Sequence, residues 1–342
     1  MLLKRGRPEE EYVNLIFTAY THAPKVLGSQ QLTGVSDDVK RRIYEKNILV
    51  ALASAKRKNP EDEVALITTD MPGEPLAGEL SRAGVKVLLH PFDTYVMPED
   101  FRWKLAFYKL CALTWAASLP EYERILLLDS DTLTMEPYGD LWKEADEGLM
   151  LFPLGHTWSH PDRQPIRETY RILFPQEEDL DPAGRTEPLN DPIQYGGEFV
   201  CGRREQMTDF TEICLQLYQR ILQAGDRIPK EIGDECILSV AAGIYNRKLR
   251  VRDACAYVYR YWTDAFYLVA TNTFQNPVCI WHLPAEKDRG ILYLYAYYRR
   301  HGDFPPKERT ARVLGMPGKK RPLRLQTLMI RYLRKRSHAG KD

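Results

Sequence analysis

A short apolar segment that ends in two carboxylates is the feature that most restricts the fold of this chain. Residues 125–128 are wholly apolar, and Asp129 and Asp131 follow them one residue apart. A run of that length bounded by charge predicts a strand buried on both faces, as in the sheet of an α/β protein. Such sheets bind their ligands at the carboxyl ends of the strands. Because paired carboxylates there need a positive partner, the segment predicts a site for a divalent cation and a phosphate-bearing substrate.

The spacing of the two carboxylates is not specific by itself. The chain contains a second Asp-x-Asp, Asp179-Leu180-Asp181, which lies between a Glu-rich segment and Pro182. That copy is typical of a solvated loop, so the strand in front of Asp129 is what distinguishes the first pair. The alternative to a metal or phosphate site is that these two side chains cap the turn that follows the strand.

Length and composition predict an α/β protein without a membrane span. The 342 residues suffice for one large or two small domains with an ample core. The most apolar stretch, 110–119, is too short to cross a bilayer. Residues 1–11 are charged and lack the apolar region of a signal peptide, which favours a cytoplasmic location. The six cysteines form no Cys-x-x-Cys pair, which argues against a zinc site and for reduced thiols.

The net charge of +1 hides an uneven distribution. Residues 317–342 contain nine Lys or Arg and one Asp, a charge of +8, and the preceding 316 residues carry −7. Apolar residues in 325–333 are spaced for one helical face, so we expect a basic amphipathic helix that binds an anionic membrane surface from the cytoplasmic side. The alternative is a helix docked on the acidic body. No nucleic-acid-reading module accompanies the basic residues, so nucleic acid is not an expected partner.

Strand and helix patterns alternate through the first half of the chain. We predict strands at 12–20, 64–68, 85–90 and 125–128, and helices at 37–58, 76–83 and 101–118. This alternation indicates right-handed crossovers and a mainly parallel sheet. No Gly-x-Gly-x-x-Gly follows the first strand and no phosphate-loop motif occurs, which argues against a dinucleotide-binding or P-loop enzyme.

The alternation of strand and helix patterns becomes irregular after residue 150. Residues 153–192 predict long loops around a short helix at 166–173, and loops of that length are usually functional. A strand at 195–202 and helices at 206–224 and 231–242 follow. The last helix would carry Asp234 and Glu235 in its first turn. An apolar strand at 278–282 would end the folded body and deliver His282.

Several of these segments together resemble glycosyltransferase family 8, which includes glycogenin and the bacterial lipopolysaccharide galactosyl- and glucosyltransferases. Lys109-Leu110, the segment 122–133 and Leu141-Trp142 are similar to the Lys-Leu helix, the Tyr-x-Arg strand with its Asp-x-Asp-Thr-Leu, and the distal Leu-Trp of that family. Segments 195–202 and 233–238 resemble its acceptor-side strand and its Asp-Gln-Asp-x-Leu-Asn helix start. His282 resembles its third metal ligand.

Three segments depart from the family pattern. Gly196-Gly197-Glu198 stands where the family has Asn-Ala/Ser-Gly. Asp234-Glu235 replaces its Asp-Gln pair. The family's His-x-x-Gly-x-x-Lys becomes His282 to Lys287, with the lysine one place early and without the glycine.

The resemblance implies an activity and a domain layout. It implies a GT-A fold with a Rossmann-like, mainly parallel central sheet flanked by helices, Mn²⁺ or Mg²⁺, a nucleotide-sugar donor such as a UDP-sugar, and retention of anomeric configuration. The acceptor would be a saccharide or glycolipid. Residues 1–316 would form the glycosyltransferase domain, with a nucleotide-sugar half at 12–150 and an acceptor half at 151–290, followed by the basic tail.

The resemblance also implies roles for individual residues. Asp129, Asp131 and His282 would hold the cation, and Asp129 would be shared with the ribose. The donor would be bound by Thr18, Tyr20, Thr21, Lys104, Lys109, Asp129, Ser130, Asp131 and Lys287. Asp234 or Glu235 would stabilise the anomeric centre or accept the acceptor proton.

Each of these assignments has a structural alternative. His282 is also consistent with a packed core histidine. Asp234 and Glu235 also suit a helix N-terminus electrostatically. Lys104 and Lys109 also suit a solvated helix face.

Two other function classes compete with sugar transfer. Haloacid-dehalogenase-type phosphatases also place Asp-x-Asp after an apolar strand, but their motif continues Gly-Thr where this chain has Thr132-Leu133. A non-catalytic sugar-nucleotide-binding protein would keep the fold without turnover, and the altered segments at Gly196 and Asp234 leave that alternative open.

Overall fold

The computed structural model describes residues 13–22, 32, 35–154, 164–175, 193–246, 250–263, 268–270 and 278–315. Most of the predicted loop region, at 155–163 and 176–192, lies outside the described residues. The basic tail at 317–342 also lies outside them, so its predicted helix and membrane contact stay predictions.

The first half contains the predicted alternation of strands and helices. Its elements are β1 (Val13–Tyr20), α1 (Asp37–Lys58), β2 (Glu63–Thr68), α2 (Leu76–Arg82), β3 (Lys86–Leu89), α3 (Tyr108–Ser118) and β4 (Tyr122–Leu128). The predicted helix at 101–118 was wrong at its start, because a 3₁₀ turn at Lys104–Phe107 precedes α3. There the Arg102 N–H donates to the Lys230 carbonyl, in a segment far away in sequence. This bond holds the start of the predicted helix against that segment.

The second half adds shorter strands and longer helices. Its elements are β5 (Thr132–Thr134), α4 (Gly139–Asp146), β6 (Leu149–Pro153), α5 (Gln164–Leu173), β7 (Tyr195–Arg203), α6 (Arg204–Ala224), α7 (Asp234–Asn246), β8 (Val251–Asp253), β9 (Val258–Thr263), β10 (Leu268–Ala270), β11 (Ile280–His282), α8 (Gly290–His301) and α9 (Lys307–Leu314). The folded body therefore continues beyond the last predicted strand through α8 and α9. Among the described residues, none of the helices combines the length and the apolarity needed to cross a bilayer.

A seven-stranded sheet in the order β3-β2-β1-β4-β7-β6-β8 forms the centre of the molecule. The first four strands are mutually parallel, whereas β7 runs antiparallel to both β4 and β6. The prediction of a mixed α/β protein with a mainly parallel central sheet and flanking helices is confirmed. The apolar segment in front of Asp129 is β4, which lies between β1 and β7.

Helices cover both faces of this sheet. Successive residues of β1 point to opposite faces, so Leu15 and Phe17 join one hydrophobic cluster and Ile16 joins the other. Helix α1 packs on the Ile16 side with α2 and α8, and α3, α6 and α7 pack on the other. Burial on both faces explains why these strands contain continuous apolar runs, at 15–17 in β1, 64–67 in β2 and 125–128 in β4.

A second sheet, in the order β10-β9-β11-β5, lies beyond the end of β4. Strand β11 pairs antiparallel with β5 and parallel with β9. In this register His282 is opposite Thr132 on one side and Arg260 on the other. The pairing brings His282, which is far along the chain, next to the carboxylates that follow β4.

Candidate functional site

The two carboxylates lie in a tight turn between β4 and β5. The N–H of Asp129 donates to the Glu198 carbonyl at 3.0 Å, which continues the pairing of β4 with β7 for one residue. Both the N–H and the hydroxyl of Thr132 donate to the Asp129 carbonyl, at 3.3 and 2.8 Å, and close the turn. The Leu283 N–H donates to the Asp131 carbonyl at 3.0 Å. These backbone bonds fix Asp131 beside the end of β11.

Asp129, Asp131 and His282 form a group that could hold a metal ion. One ligand atom from each residue lies within 4.8 Å of the others. Nε2 of His282 is 3.3 Å from Oδ1 of Asp131. Asp131 is fully buried and His282 is 4% exposed, whereas Asp129 is only half-buried. The group therefore opens toward solvent on the Asp129 side.

The donor atoms of this group fit a divalent cation such as Mn²⁺. Carboxylate oxygens are the preferred ligands of Mg²⁺ and Mn²⁺, and imidazole also binds transition metals. Oδ1 of Asp131 is buried and accepts no hydrogen bond from the described residues. A buried carboxylate oxygen in that state is costly unless a cation approaches it.

Lys287 contacts the other oxygen of Asp131. Its Nζ forms an ion pair with Oδ2, and both side chains are buried. Burial by itself would raise the pKa of Asp131, but the positive charges of Lys287 and His282 hold that pKa far below its usual value. The Asp131 carboxylate is thus ionised.

His282 lies between two carboxylates. Burial alone would lower the pKa of its imidazole, but Asp131 and Glu198 raise it to about 9. Nδ1 of His282 is 3.2 Å from Oε1 of Glu198. In the absence of a metal ion the ring therefore carries a positive charge at neutral pH.

Lys109 contacts both Asp129 of the candidate metal group and Asp234 of α7. Its Nζ lies 2.8 Å from Oδ2 of Asp234 and 3.7 Å from Oδ2 of Asp129, and it donates to the Gly197 carbonyl at 3.0 Å. Burial disfavours the ammonium, but the two carboxylates raise the pKa of Lys109 well above its ordinary value. Burial and Asp129 raise the pKa of Asp234, and Lys109 only partly opposes them.

A cleft of about 390 Å³ lies against this charged group. Its walls include residues from β1, the turn after β4, α5, and the start of α7. The cleft is lined by Ala19, Tyr20, Thr21, Tyr44, Trp103, Leu105, Ala106, Tyr108, Lys109, Asp129, Ser130, Pro165, Ile166, Gln194, Glu231, Ile232, Gly233, Asp234, Glu235, Cys236 and Lys287. Asp131 and His282 lie beneath this surface.

The residues expected to bind a donor nucleotide divide into two groups. Tyr20 and Thr21, at the end of β1, line the cleft, as do Lys109, Ser130 and Lys287. The expectation for Thr18 and Lys104 fits less well, because neither is among the residues that line the cleft. Thr18 is 1% exposed within β1, and Lys104 forms an ion pair with Glu99.

The two acidic residues of α7 both face the cleft. Asp234 is buried and held by Lys109, and Glu235 accepts a 2.6 Å hydrogen bond from Nε2 of Gln194. Their place in the first turn of α7 agrees with the sequence prediction, although the helix begins at Asp234 and not at residue 231.

Sequence reasoning did not assign Glu198 and Arg260 to the site. Glu198 is 2% exposed in β7, and Nε of Arg260 lies 3.1 Å from its Oε1. The available signal was an acidic residue inside the otherwise apolar strand at 195–202. Its basic partner comes from β9, which the sequence pattern did not reveal.

Comparisons with known proteins give structural similarities and no family. No family model matches the chain, and no curated protein sequence matches it. Among solved structures, the apo form of mouse xyloside xylosyltransferase 1 is similar, with 14% sequence identity and a TM-score of 0.48. The match covers 79% of this chain and 97% of that one.

Proposed function

We propose that this protein is a metal-dependent, retaining glycosyltransferase with a GT-A fold, similar to family 8. It would transfer a hexose from a UDP-sugar or a related nucleotide-sugar to a saccharide or glycolipid acceptor. The observation that carries the proposal is the group of Asp129, Asp131 and His282 beside a cleft at the carboxyl ends of β1 and β4. Ligands of open α/β sheets bind at that edge.

The positive charges around the cleft suit a diphosphate. A divalent cation held by Asp129, Asp131 and His282 would neutralise the leaving diphosphate as a Lewis acid. Lys287 and Lys109 both line the cleft and add positive charge on the protein side. Lysine acts on phosphate oxygens as a compact point charge, which suits a group that must bind and later release a diphosphate.

The first turn of α7 would supply the carboxylates that act on the sugar, because Asp234 and Glu235 both line the cleft. Asp234 is fixed by Lys109, and Gln194 orients Glu235. A fixed carboxylate at that place would stabilise positive charge that develops at the anomeric carbon, or accept the proton of the acceptor hydroxyl. A raised pKa, as Asp234 has, suits a proton-accepting role.

The end of β1 suits the nucleoside. Tyr20 and Thr21 line the cleft, and the ring of Tyr20 stacks on Tyr44 with 6.2 Å between centroids. An aromatic side chain at a cleft edge is a suitable surface for a base.

The basic tail suits a membrane-associated acceptor. Residues 317–342 carry a charge of +8, which would attract anionic lipid headgroups. We therefore include cytoplasmic, peripheral association with an anionic membrane surface in the proposal.

A donor panel tests the activity. Nucleotide release from a set of nucleotide-sugars would be measured with Mn²⁺, Mg²⁺ or EDTA, using the wild type and Asp131→Asn. Asp226→Asn, which changes an exposed carboxylate that pairs with Lys230, is the control. We expect metal-dependent release from one donor, lost in Asp131→Asn and kept in the control.

Other outcomes of the panel would contradict the proposal. Metal-dependent hydrolysis of a simple phosphomonoester, without nucleotide release, would favour the phosphatase. Tight binding of nucleotide and metal, with no release even when saccharide acceptors are supplied, would identify a non-catalytic binding protein.

A further inference from the structure

Strand pairing brings two further side chains, Glu198 and Arg260, next to His282 of the candidate metal group. Glu198 in β7 lies where its carbonyl accepts the N–H of Asp129. Arg260 in β9 and His282 in β11 are register partners in the second sheet. The backbone therefore places Glu198, Arg260 and His282 at the junction of the two sheets.

The polar atoms of these side chains converge on one oxygen. Oε1 of Glu198 lies 3.2 Å from Nδ1 of His282 and 3.1 Å from Nε of Arg260. Glu198 and His282 are 2% and 4% exposed. Oε1 of Glu198 and Nδ1 of His282 are buried and complete no hydrogen bond among the described residues, so they meet as an ion pair at 3.2 Å.

The strand is shaped to accommodate this carboxylate. Gly196 and Glu198 share one face of β7, and a Cβ atom at Gly196 would overlap the Glu198 carboxylate. Glycine leaves the space in which that carboxylate folds back over its own strand. The Gly-x-Glu spacing thus has a steric reason within this site.

We propose that Glu198 is a positioning residue for the metal ligand His282. With a cation bound, its carboxylate would accept a hydrogen bond from the N–H at Nδ1, which leaves Nε2, on the Asp131 side of the ring, as the nitrogen that binds the cation. Arg260 holds Glu198 in place and balances its charge. This inference rests on the proposed metal-dependent function, because it assigns Glu198 to the same cation site.

General chemistry supports this role. A histidine that ligates a metal usually donates its other ring N–H to a carboxylate or carbonyl, which fixes the tautomer and the ring orientation. Nε of Arg260 and Nδ1 of His282 both lie within ion-pair distance of Oε1 of Glu198, so this one carboxylate faces two nitrogen donors.

Mn²⁺ binding tests the proposal without requiring turnover. The Mn²⁺ dissociation constant would be measured by electron paramagnetic resonance for the wild type, Glu198→Gln, His282→Ala and the double variant. Glu79→Gln is the matched control, because Glu79 is also buried and paired with an arginine but lies in α2 away from the site.

We expect Glu198→Gln to weaken Mn²⁺ binding on the order of 10- to 100-fold. The imidazole nitrogen coupling in the electron spin-echo spectrum of bound Mn²⁺ should weaken as well. In the His282→Ala background Glu198→Gln should have no further effect, and Glu79→Gln should bind Mn²⁺ as the wild type does. If Glu198→Gln fails to fold, Arg260→Gln perturbs the same contact and should also weaken the nitrogen coupling.

The outcomes separate this inference from the proposed function. Absence of Mn²⁺ binding by the wild type would overturn both. Wild-type binding together with unchanged affinity and nitrogen coupling in Glu198→Gln would overturn only the role of Glu198. An equal loss in the wild-type and His282→Ala backgrounds would also overturn it, because Glu198 would then act independently of His282.

Discussion

Lys287 and Asp131 form a buried ion pair at the floor of the cleft, and the Lys287 ammonium contacts the carboxylate that the metal ion would need. The same ammonium lines the cleft in which a diphosphate would bind. A metal ion at Oδ1 and the ammonium at Oδ2 would therefore compete for the negative charge of Asp131, whereas Lys287 and the metal ion would cooperate in binding a diphosphate.

Lys287→Ala should separate these two effects. We expect Mn²⁺ to bind more tightly than to the wild type without nucleotide, because the competing ammonium is gone. UDP should bind roughly tenfold more weakly with saturating Mn²⁺, since one charge-assisted contact to the diphosphate is lost. Calorimetric titrations measure both affinities. Lys307→Ala, which removes an exposed lysine paired with Glu136, should change neither, and a loss of both in Lys287→Ala would contradict the competition.

The stability of the metal-free protein should depend on pH through His282. Asp131 and Glu198 raise its pKa to about 9 from an ordinary value of 6.5. The stabilisation should thus be complete below about pH 6.5 and lost as the pH rises through 9, a change of about 3 kcal/mol. Urea unfolding in EDTA, at pH values between 6.5 and 9, measures this change in the free energy of unfolding. His282→Asn should flatten the dependence, and a matched change at the exposed His301 should not.

Lys109 should be essential for the stability of the cleft floor. Lys109→Met leaves the buried Asp234 without its cation, so we expect a loss of about 3 kcal/mol or more in the free energy of unfolding. Adding Asp234→Asn should recover part of that loss. Lys143→Met removes an exposed pair with Asp140 and should cost less than about 1 kcal/mol. Urea unfolding measures these free energies. Equal losses in Lys109→Met and Lys143→Met would contradict the role of Lys109 as the buried partner of Asp234.

Gly197 should tolerate no side chain. A Cβ atom there would overlap Oδ2 of Asp234 and lie 2.8 Å from Nζ of Lys109. Gly197→Ala should therefore destabilise the fold by roughly 1–3 kcal/mol and reduce any transferase activity by displacing Asp234. Gly139→Ala is the control, because a Cβ atom at that position meets nothing within 4 Å. Thermal unfolding and the donor panel measure the two effects.

Strands β1, β2 and β4, in the middle of the central sheet, were predictable from sequence because they are buried on both faces. Apolar runs placed β1 and β2 within one residue of their observed bounds, whereas β4 begins at Tyr122 and not at residue 125. Strands β6 and β8 of the same sheet were not predicted. The short strands of the second sheet were not predictable in the same way. β5 and β11 have three residues each, too few for a periodicity to appear. Their pairing depends on contacts between segments that are far apart in sequence.

In the candidate site too, residues marked by a local sequence pattern were predictable, and contacts made by long-range strand pairing were not. Asp129 and Asp131 were visible because they end an apolar strand. The contact between His282 and Asp131 depends on the pairing of β11 with β5, which no local pattern specifies. Glu198 was noted as a departure from a family pattern, but its role depends on Arg260 from another strand.

The antiparallel strand β7 has a consequence for dividing the chain. β7 comes from the second half of the sequence, yet it lies between β4 and β6 and pairs with both. A fragment that ends near residue 150 would thus expose the backbone edge of β4, with apolar side chains on both faces. Such a fragment should aggregate when expressed alone. The proposed half at 12–150 should therefore not fold by itself, and any chimera that exchanges the second half of the chain must keep β7 with its neighbours.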